Sequence, residues 1–325
     1  MVESAPLLRE YRVIPYRGFE SLPLRQIRKK IKNLHKEKIY KLSESLVDYG
    51  EIINVSELSG GFSTEVFLLE LKKNKSTSRL VLRMEAGLPS ENSAKTEYEL
   101  LKYLKDTIVP SAIPIYLDSC GSLLGKPFFI SSYIEATQNL DGIEDASYIE
   151  TIANQLRDIH RVNTDNLPEL PHRINPLVGI LDYLPKNDKW KEIREYIKET
   201  PYEKYNGDNV LLHGDFWPGN LLWESGDIKG VVDWDYAALG DPSYDLAVSC
   251  LMFRYLYGQQ DMEAFKDAYT KYSEINEDRF LLWSINIASS TLHFINEWRL
   301  TKEDKDKMMA TANLIISESY IQIQT

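Results

Sequence analysis

The chain has 325 residues, 43% hydrophobic and 27% charged, which fits a folded protein with a sizeable core, built as one large domain or two lobes. No apolar run approaches the roughly 20 residues of a membrane span. The N-terminal stretch lacks the basic-then-apolar order of a signal peptide, and Cys120 and Cys250 are too few and too far apart for a disulfide framework or zinc site, so a cytoplasmic setting is expected. The net charge of −11 is uneven: residues 1–135 carry 20 Lys and Arg against 17 Asp and Glu, a net of +3, which leaves −14 for residues 136–325. That acidic part disfavours nucleic acid as a ligand and is compatible with a cationic substrate, although solubility alone also accounts for it.

Residues 1–21 read as an extended arm punctuated by Pro6, Pro15 and Gly18. From Leu22 to Tyr49 apolar residues recur at helical spacing: Leu24, Ile27, Ile31, Leu34, then Ile39, Leu42 and Leu46. The opposite face is basic, with Arg25, Arg28, Lys29, Lys30, Lys32 and Lys36. Such a helix suits packing on its own domain, and also contact with a membrane surface or a partner.

Residues 51–85 change to strand character, with runs at Ile52–Val55, Glu65–Leu71 and Arg79–Glu85. The first turn of this meander is Ser59-Gly60-Gly61-Phe62-Ser63. A turn of this kind lets backbone N–H groups approach phosphate oxygens, though paired glycines also make an ordinary hairpin. Arg83 lies late in the third strand, and Glu97 in the helix expected over Glu91–Asp106. The two could pair inside a nucleotide pocket or be separate surface charges. Further strands are expected at Ile113–Leu117 and Phe128–Ile134. The second of these turns polar towards its end, as a strand does when it leaves a core as a linker. The expected division is a helical extension over residues 1–49, an N-terminal lobe over 50–134 and a C-terminal lobe over 135–325.

The C-terminal part reads as mostly helical: Ser147–Val162, Lys189–Glu199, Tyr244–Tyr257, Met262–Ile275, Arg279–Leu300 and Lys305–Ile323. His160 is expected in a core rather than as a ligand. Asp165–Asp188, with four prolines and no period, reads as a mobile cover. The densest run of polar chemistry is Val210–Leu246, which holds His213, Asp215, Asn220, Asp233, Asp235, Asp241 and Asp245. Val210–Leu212 is a short strand, and Phe216-Trp217-Pro218-Gly219 is loop chemistry. Leu221–Trp223 and Ile228–Val232 are strands joined by the turn Glu224-Ser225-Gly226-Asp227. This hairpin should bring Asn220 beside Asp233, with Asp215 on the loop before them. A base and two oxygen ligands so placed are what metal-assisted phosphoryl transfer needs.

The run from His213 to Asn220, HGDFWPGN, resembles the H-G-D-x-x-x-x-N signature of the aminoglycoside phosphotransferase family, which is related to choline and fructosamine kinases and, more distantly, to protein kinases. Gly230-Val231-Val232-Asp233-Trp234-Asp235, Gly240-Asp241-Pro242 and Asp245-Leu246-Ala247 resemble the family's continuation, and Ser59–Val66, Leu80–Arg83, Glu97 and Phe129–Ile134 fall in its order. The resemblance spans about residues 50–300. It implies an α+β, bilobal protein-kinase-like fold with a β-rich N-terminal lobe and a mainly helical C-terminal lobe. It also implies ATP or GTP with Mg²⁺ as cofactors and a small-molecule hydroxyl as acceptor. Asp215 would be the base, and Asn220 and Asp233 the metal ligands. Ser59, Gly60, Gly61, Phe62, Ser63, Arg83, Glu97, Ser132 and Ile134 would contact the nucleotide. The chain departs from the kinase pattern in having only two glycines in its turn, and Arg83 where kinases carry a lysine. An arginine keeps the charge and changes the geometry.

His213 is expected to brace the loop, Asp235, Asp241 and Asp245 to scaffold or cap, with Asp245 either capping the helix it precedes or holding the catalytic loop, and Trp217 to act as a lid or a core anchor. Glu297 and Trp298 are candidate acceptor contacts. Two other readings compete with the kinase. One is a non-catalytic nucleotide-binding regulator on the same fold, and the other a metal-dependent phosphohydrolase built from His213, Asp215, Asp233 and Asp235. The sequence carries no signal for oligomeric state.

Overall fold

The structure, a computed structural model, describes residues 37–58, 64–85, 92–136, 147–201, 203, 205–298 and 300–325. The arm over residues 1–21, the basic helix face up to Lys36 and the Ser59–Ser63 turn lie outside the described residues. The described residues divide into two compact units, one up to Glu135 and the other from Ala136.

The first unit is a five-stranded antiparallel sheet of β1 (Glu51–Leu58), β2 (Thr64–Lys73), β3 (Ser76–Glu85), β4 (Pro114–Asp118) and β5 (Phe128–Ser132), in the order β1-β2-β3-β5-β4. Strand alternation sorts its side chains. Phe67, Leu69 and Leu71 of β2 and Leu80, Leu82 and Met84 of β3 enter one core. Ile39, Leu42 and Leu46 close that core, so the last apolar residues of the expected N-terminal helix belong to the sheet's own packing. That helix does not run on to Tyr49. Residues 37–40 are helical, and Lys41–Ser45 tightens into a 3-10 turn. The chain then reverses into β1 through Gly50 at φ +99°. Helix α1 (Ala94–Leu104) is capped by Ser93, whose side chain accepts the Thr96 N–H, and buries Leu100, Leu101 and Leu104.

The second unit is helical: α2 (Ser147–His160), the single turn α3 (Ile180–Tyr183), α4 (Lys191–Glu199), α5 (Ser243–Leu256), α6 (Gln259–Thr270), α7 (Glu277–Phe294) and α8 (Lys302–Ile323). Asn276 and Thr301 cap α7 and α8 by accepting the N–H groups of Arg279 and Asp304. Helix α5 buries eleven of its residues, as expected of a central helix apolar on most sides.

Two short strands escaped the sequence reading, β6 (His172–Arg173) and β10 (Ala238–Gly240). With β7 (Val210–Leu212) they form a three-stranded sheet in the order β6-β10-β7. Segments of two and three residues carry no period to detect. The stretch expected as a mobile cover is built in instead. Asn286 Nδ2 donates to the carbonyls of Pro176 and Val178 at 2.6 and 2.7 Å. The Asp241 N–H donates to Arg173 O at 3.0 Å. Its prolines break regular structure without freeing the backbone, because its carbonyls accept from neighbouring elements. Among the described residues no helix is long and apolar enough to cross a membrane, and both cysteines are free thiols.

Candidate active site

Strand β7 ends at Leu212 and hands the chain to His213 and Gly214. Asp245, at the start of α5, is fully buried and holds this corner by its backbone. Its Oδ2 accepts the His213 N–H at 2.7 Å and its Oδ1 the Gly214 N–H at 2.8 Å. The Nε2 of His160 reaches the same Oδ2 at 3.2 Å, while Nδ1 of that ring meets the Tyr269 hydroxyl at 2.7 Å. Burial by itself would raise the Asp245 carboxyl. Hydrogen bonding and charge from His160, with the bonds from the loop, overcome it and hold the group below the usual carboxylate range.

His213 braces the loop with both ring nitrogens. Its Nδ1 accepts the Asp215 N–H at 3.2 Å, and its Nε2 donates to Val232 O at 3.1 Å. Full burial lowers its pKa, so the ring stays neutral in the tautomer these bonds require. The ring packs 4.5 Å from the Trp234 indole. With both nitrogens committed to the backbone, His213 has no lone pair to offer a metal.

Asp215 stands at the head of a turn closed by the Asn220 N–H donating to Trp217 O at 2.9 Å. Asn220 Nδ2 donates to the Asp215 carbonyl at 2.8 Å and to Oδ2 of its carboxylate at 3.1 Å, so the oxygen end of the Asn220 amide remains for a cation. Burial raises the Asp215 carboxyl and the charge of Asp233 raises it further. Donors from Asn220 and Trp217 oppose the shift, which carries the group up to about 7.

Strands β8 (Leu221–Glu224) and β9 (Asp227–Val231) pair antiparallel, with Leu221 opposite Val231. Ser225 and Gly226 between them both take positive φ, +54° and +87°, which is the two-residue turn whose twist suits a tight hairpin. The pairing continues where the Val232 N–H donates to Asn220 O at 3.0 Å. Asp233 follows in a left-handed conformation, φ +70°, so the chain leaves the hairpin sharply at the candidate metal ligand.

The donor set fits Mg²⁺ held jointly with a nucleotide. Among the described residues no group of three or more His, Cys, Asp or Glu could hold a metal by itself. Asn220 and Asp233 supply two hard oxygens, and Mg²⁺ takes its remaining ligands from phosphates and water. The mutual repulsion of Asp215 and Asp233 is what a divalent cation would relieve. The hydrolase reading counted His213 with Asp215, Asp233 and Asp235, and that ring is committed to the backbone through both nitrogens.

Asp241 scaffolds. Its Oδ1 caps the Ser243 N–H at 3.0 Å, and its Oδ2 receives Arg279 Nε at 2.6 Å and Trp283 Nε1 at 3.0 Å. Glu297 and Trp298 follow the end of α7, the former exposed and the latter half-buried. On the first unit, Arg83 Nε and Glu97 Oε2 pair at 3.3 Å with both side chains largely buried. Arg83 lies opposite Phe129 in the β3–β5 register, and Tyr98 of α1 meets Phe129 edge-on, so the pair sits on the face of the sheet covered by α1. Ser132 ends β5 with its hydroxyl accepting the Ile113 N–H at 2.9 Å, and Ile134 lies two residues beyond, half-buried.

Three contacts at the candidate site were not legible in the sequence. His160 reaches the His213–Gly214 corner through Asp245. Ser249 Oγ donates to Phe216 O at 2.8 Å, and the Trp217 indole donates to Asp215 at 3.3 Å. The nearest signal was Ser249 itself, a hydroxyl one helical turn after Asp245 on a helix otherwise rich in apolar residues.

A sequence model of the phosphotransferase enzyme family matches residues 54–283. Among curated proteins, the chain is 29% identical over 202 residues to acyl-CoA dehydrogenase family member 10 of Mus musculus, covering 54% of this chain and 18% of that protein. It is 27% identical over 230 residues to the probable acyl-CoA dehydrogenase IBR3 of Arabidopsis thaliana, covering 61% of this chain and 28% of that protein. The chain thus spans less than a third of the length of either. A homoserine kinase of Methylocella silvestris is 25% identical over 62% of this chain and 64% of its own. Among solved structures, the aminoglycoside phosphotransferase APH(4)-Ia superposes with a TM-score of 0.61 at 15% identity, covering 87% of this chain and 99% of that one. A thermostable mutant of it, solved as a ternary complex with AMP-PNP and hygromycin B, superposes with a TM-score of 0.59 at 15% identity over 86% and 98%. The fold is that of these proteins, with a β-sheet N-terminal lobe and a helical C-terminal lobe, as the sequence resemblance implied.

Proposed function

The chain belongs to the phosphotransferase enzyme family, and from that premise we propose that it is an ATP-dependent kinase that phosphorylates a hydroxyl of a small, amine-bearing molecule. The observation that carries this reading is that Asp215 and Asn220 meet on one turn whose Asn220 carbonyl pairs with Val232, next to Asp233 at the end of the hairpin. The acceptor oxygen attacks the γ-phosphorus, the bond from that phosphorus to the β–γ bridging oxygen breaks, and the nucleoside diphosphate leaves. The hydroxyl proton passes to Asp215. Asn220 and Asp233 would hold Mg²⁺, which supplies charge neutralisation at the phosphate oxygens when bound. Arg83, oriented by Glu97, has the charge to meet a nucleotide phosphate, and Ser59–Ser63, Ser132 and Ile134 are the accompanying nucleotide contacts. GTP in place of ATP is an outcome of the same assay.

Two observations support an amine-bearing acceptor. The residues from 136 onward are strongly acidic, which favours cations. The relatives include a homoserine kinase and an aminoglycoside 3′-phosphotransferase of Escherichia coli, the latter 26% identical over 149 residues. Glu297 and Trp298 are candidate contacts for the acceptor.

The test is a nucleotide-consumption screen across aminoglycosides, amino alcohols, amino acids, sugars and nucleosides, with a thermal shift measured for ATP with and without Mg²⁺. Asp215→Ala is expected to lower turnover by about 10²–10⁴-fold while the protein stays folded. A variant with full activity would remove Asp215 from its role. A thermal shift with MgATP and no turnover on any acceptor would favour the nucleotide-binding regulator.

A further inference from the structure

We propose that Trp217 is the positioning residue of the base, locking the Asp215 carboxylate so that Oδ1 is the atom that receives the acceptor's proton. This rests on the kinase reading above. Among the described residues the hydrogen bonds to the carboxylate both fall on Oδ2, from Trp217 Nε1 at 3.3 Å and Asn220 Nδ2 at 3.1 Å. A carboxylate torsion is soft, and a single donor lets the group swing about that contact. Two donors approaching one oxygen from different residues restrain the group about that contact and leave Oδ1 outside both bonds. Orientation of a reacting atom within a few tenths of an ångström is where a large share of rate is gained or lost.

Both donors leave from the two ends of one turn. The Asn220 N–H donates to Trp217 O at 2.9 Å, and Pro218–Asn220 forms a 3-10 turn between them. The fork that grips Oδ2 is therefore a single rigid unit, and its indole arm has a built seat. At Gly219 an added methyl would lie 2.2 Å from Trp217 Cη2 and 2.3 Å from Cζ3, so the ring occupies the space a side chain would take. Gly219 has no positive φ to explain it. The close approach of the ring does. A half-buried tryptophan beside the base is neither a detached lid nor a core anchor, because its N–H is spent on the reacting carboxylate.

The seat supplies the test. Trp217→Phe removes the donor and the outer ring that fills the Gly219 space. It is expected to lower kcat about ten-fold, the low end for a charge-assisted bond of this length, with KM for MgATP and acceptor within two-fold. Phosphate transfer from MgATP is the assay, with water as acceptor where no other is found. Gly219→Ala keeps the indole but pushes it aside and should reproduce the loss. The double variant should fall no further than Trp217→Phe alone, because the smaller ring leaves room for the methyl. In ¹H–¹⁵N spectra, one of the six indole N–H signals disappears in Trp217→Phe, and that same signal moves upfield in Asp215→Ala.

Wild-type kcat in Trp217→Phe beside an inactive Asp215→Ala overturns the role of Trp217 and leaves the kinase reading standing. A raised KM with kcat kept makes Trp217 a substrate contact and overturns the proposal too, as does an indole signal unmoved by Asp215→Ala. Absence of MgATP turnover in the wild-type protein removes the kinase reading and the positioning role together.

Discussion

At Gly214 the backbone takes φ +83°, and an added methyl would lie 2.0 Å from the Tyr236 carbonyl oxygen. Both constraints act on the residue next to the candidate base. Gly214→Ala is expected to cost about 1–3 kcal/mol from the left-handed φ alone, with the clash adding to it and displacing Asp215. Denaturant titration and kcat measured together check this. Asp245 carries a second prediction. Its folded-state pKa lies below the ordinary carboxylate value of about 4. The stability it contributes is therefore fully present above that value and is lost as pH falls through the lower folded one. The melting temperature of the wild type should thus fall more steeply on acidification than that of Asp245→Asn, which starts lower and has no such carboxyl to protonate. Parallel curves would remove Asp245 as the acid-sensitive anchor. The identity of Asp215 and Asn220 as a pair was legible in residue type and spacing. The value of about 7 for Asp215 was not, because it comes from burial and from Asp233, eighteen positions away in the chain.

Between elements, Asp241 and Arg279 join the start of α5 to the start of α7 through a bond at 2.6 Å, with side-chain exposures of 2% and 14%. Arg279 also donates to Ile174 O, tying in the proline-rich stretch. Arg279→Met leaves a buried carboxylate with one cationic partner removed and should lower stability by about 2–4 kcal/mol, read by denaturant unfolding. On the N-terminal lobe, Arg83→Ala is expected to raise KM for MgATP roughly ten-fold, and Arg83→Lys to recover part of it, since the charge returns without the planar fork. Equal KM values across the three proteins would place Arg83 in a structural pair with Glu97 and no more. The ends of the principal helices were not legible: α6 stops at Thr270, short of the expected Ile275, and α7 at Phe294, short of Leu300. The helices themselves were legible because their apolar spacing is long enough to count. The strands at His172–Arg173 and Ala238–Gly240 were not, since a strand of two or three residues exists only through its partners.

Across the whole chain, charge is the property that bears on substrate choice. If the acidic residues from 136 onward draw in a cationic acceptor, KM for that acceptor should rise severalfold between about 50 and 300 mM salt, while KM for an uncharged acceptor stays flat. A flat response for both would reduce the acidity to solubility. The sequence by itself determined the α+β class, the family signature from His213 to Asn220 and the hairpin that brings Asn220 to Asp233. These follow from local chemistry: hydrophobic period, a Ser-Gly turn and a run of fixed spacing. Tertiary structure alone decided which polar residues act on which. Bracing by His213 and a scaffold role for Asp245 were expected from the sequence, while the two backbone partners of His213, the two loop N–H groups that Asp245 accepts and the bond from the Trp217 indole to Asp215 were set by packing. Each of these depends on the direction a side chain takes in a packed interior, and residue spacing along the chain does not encode that direction.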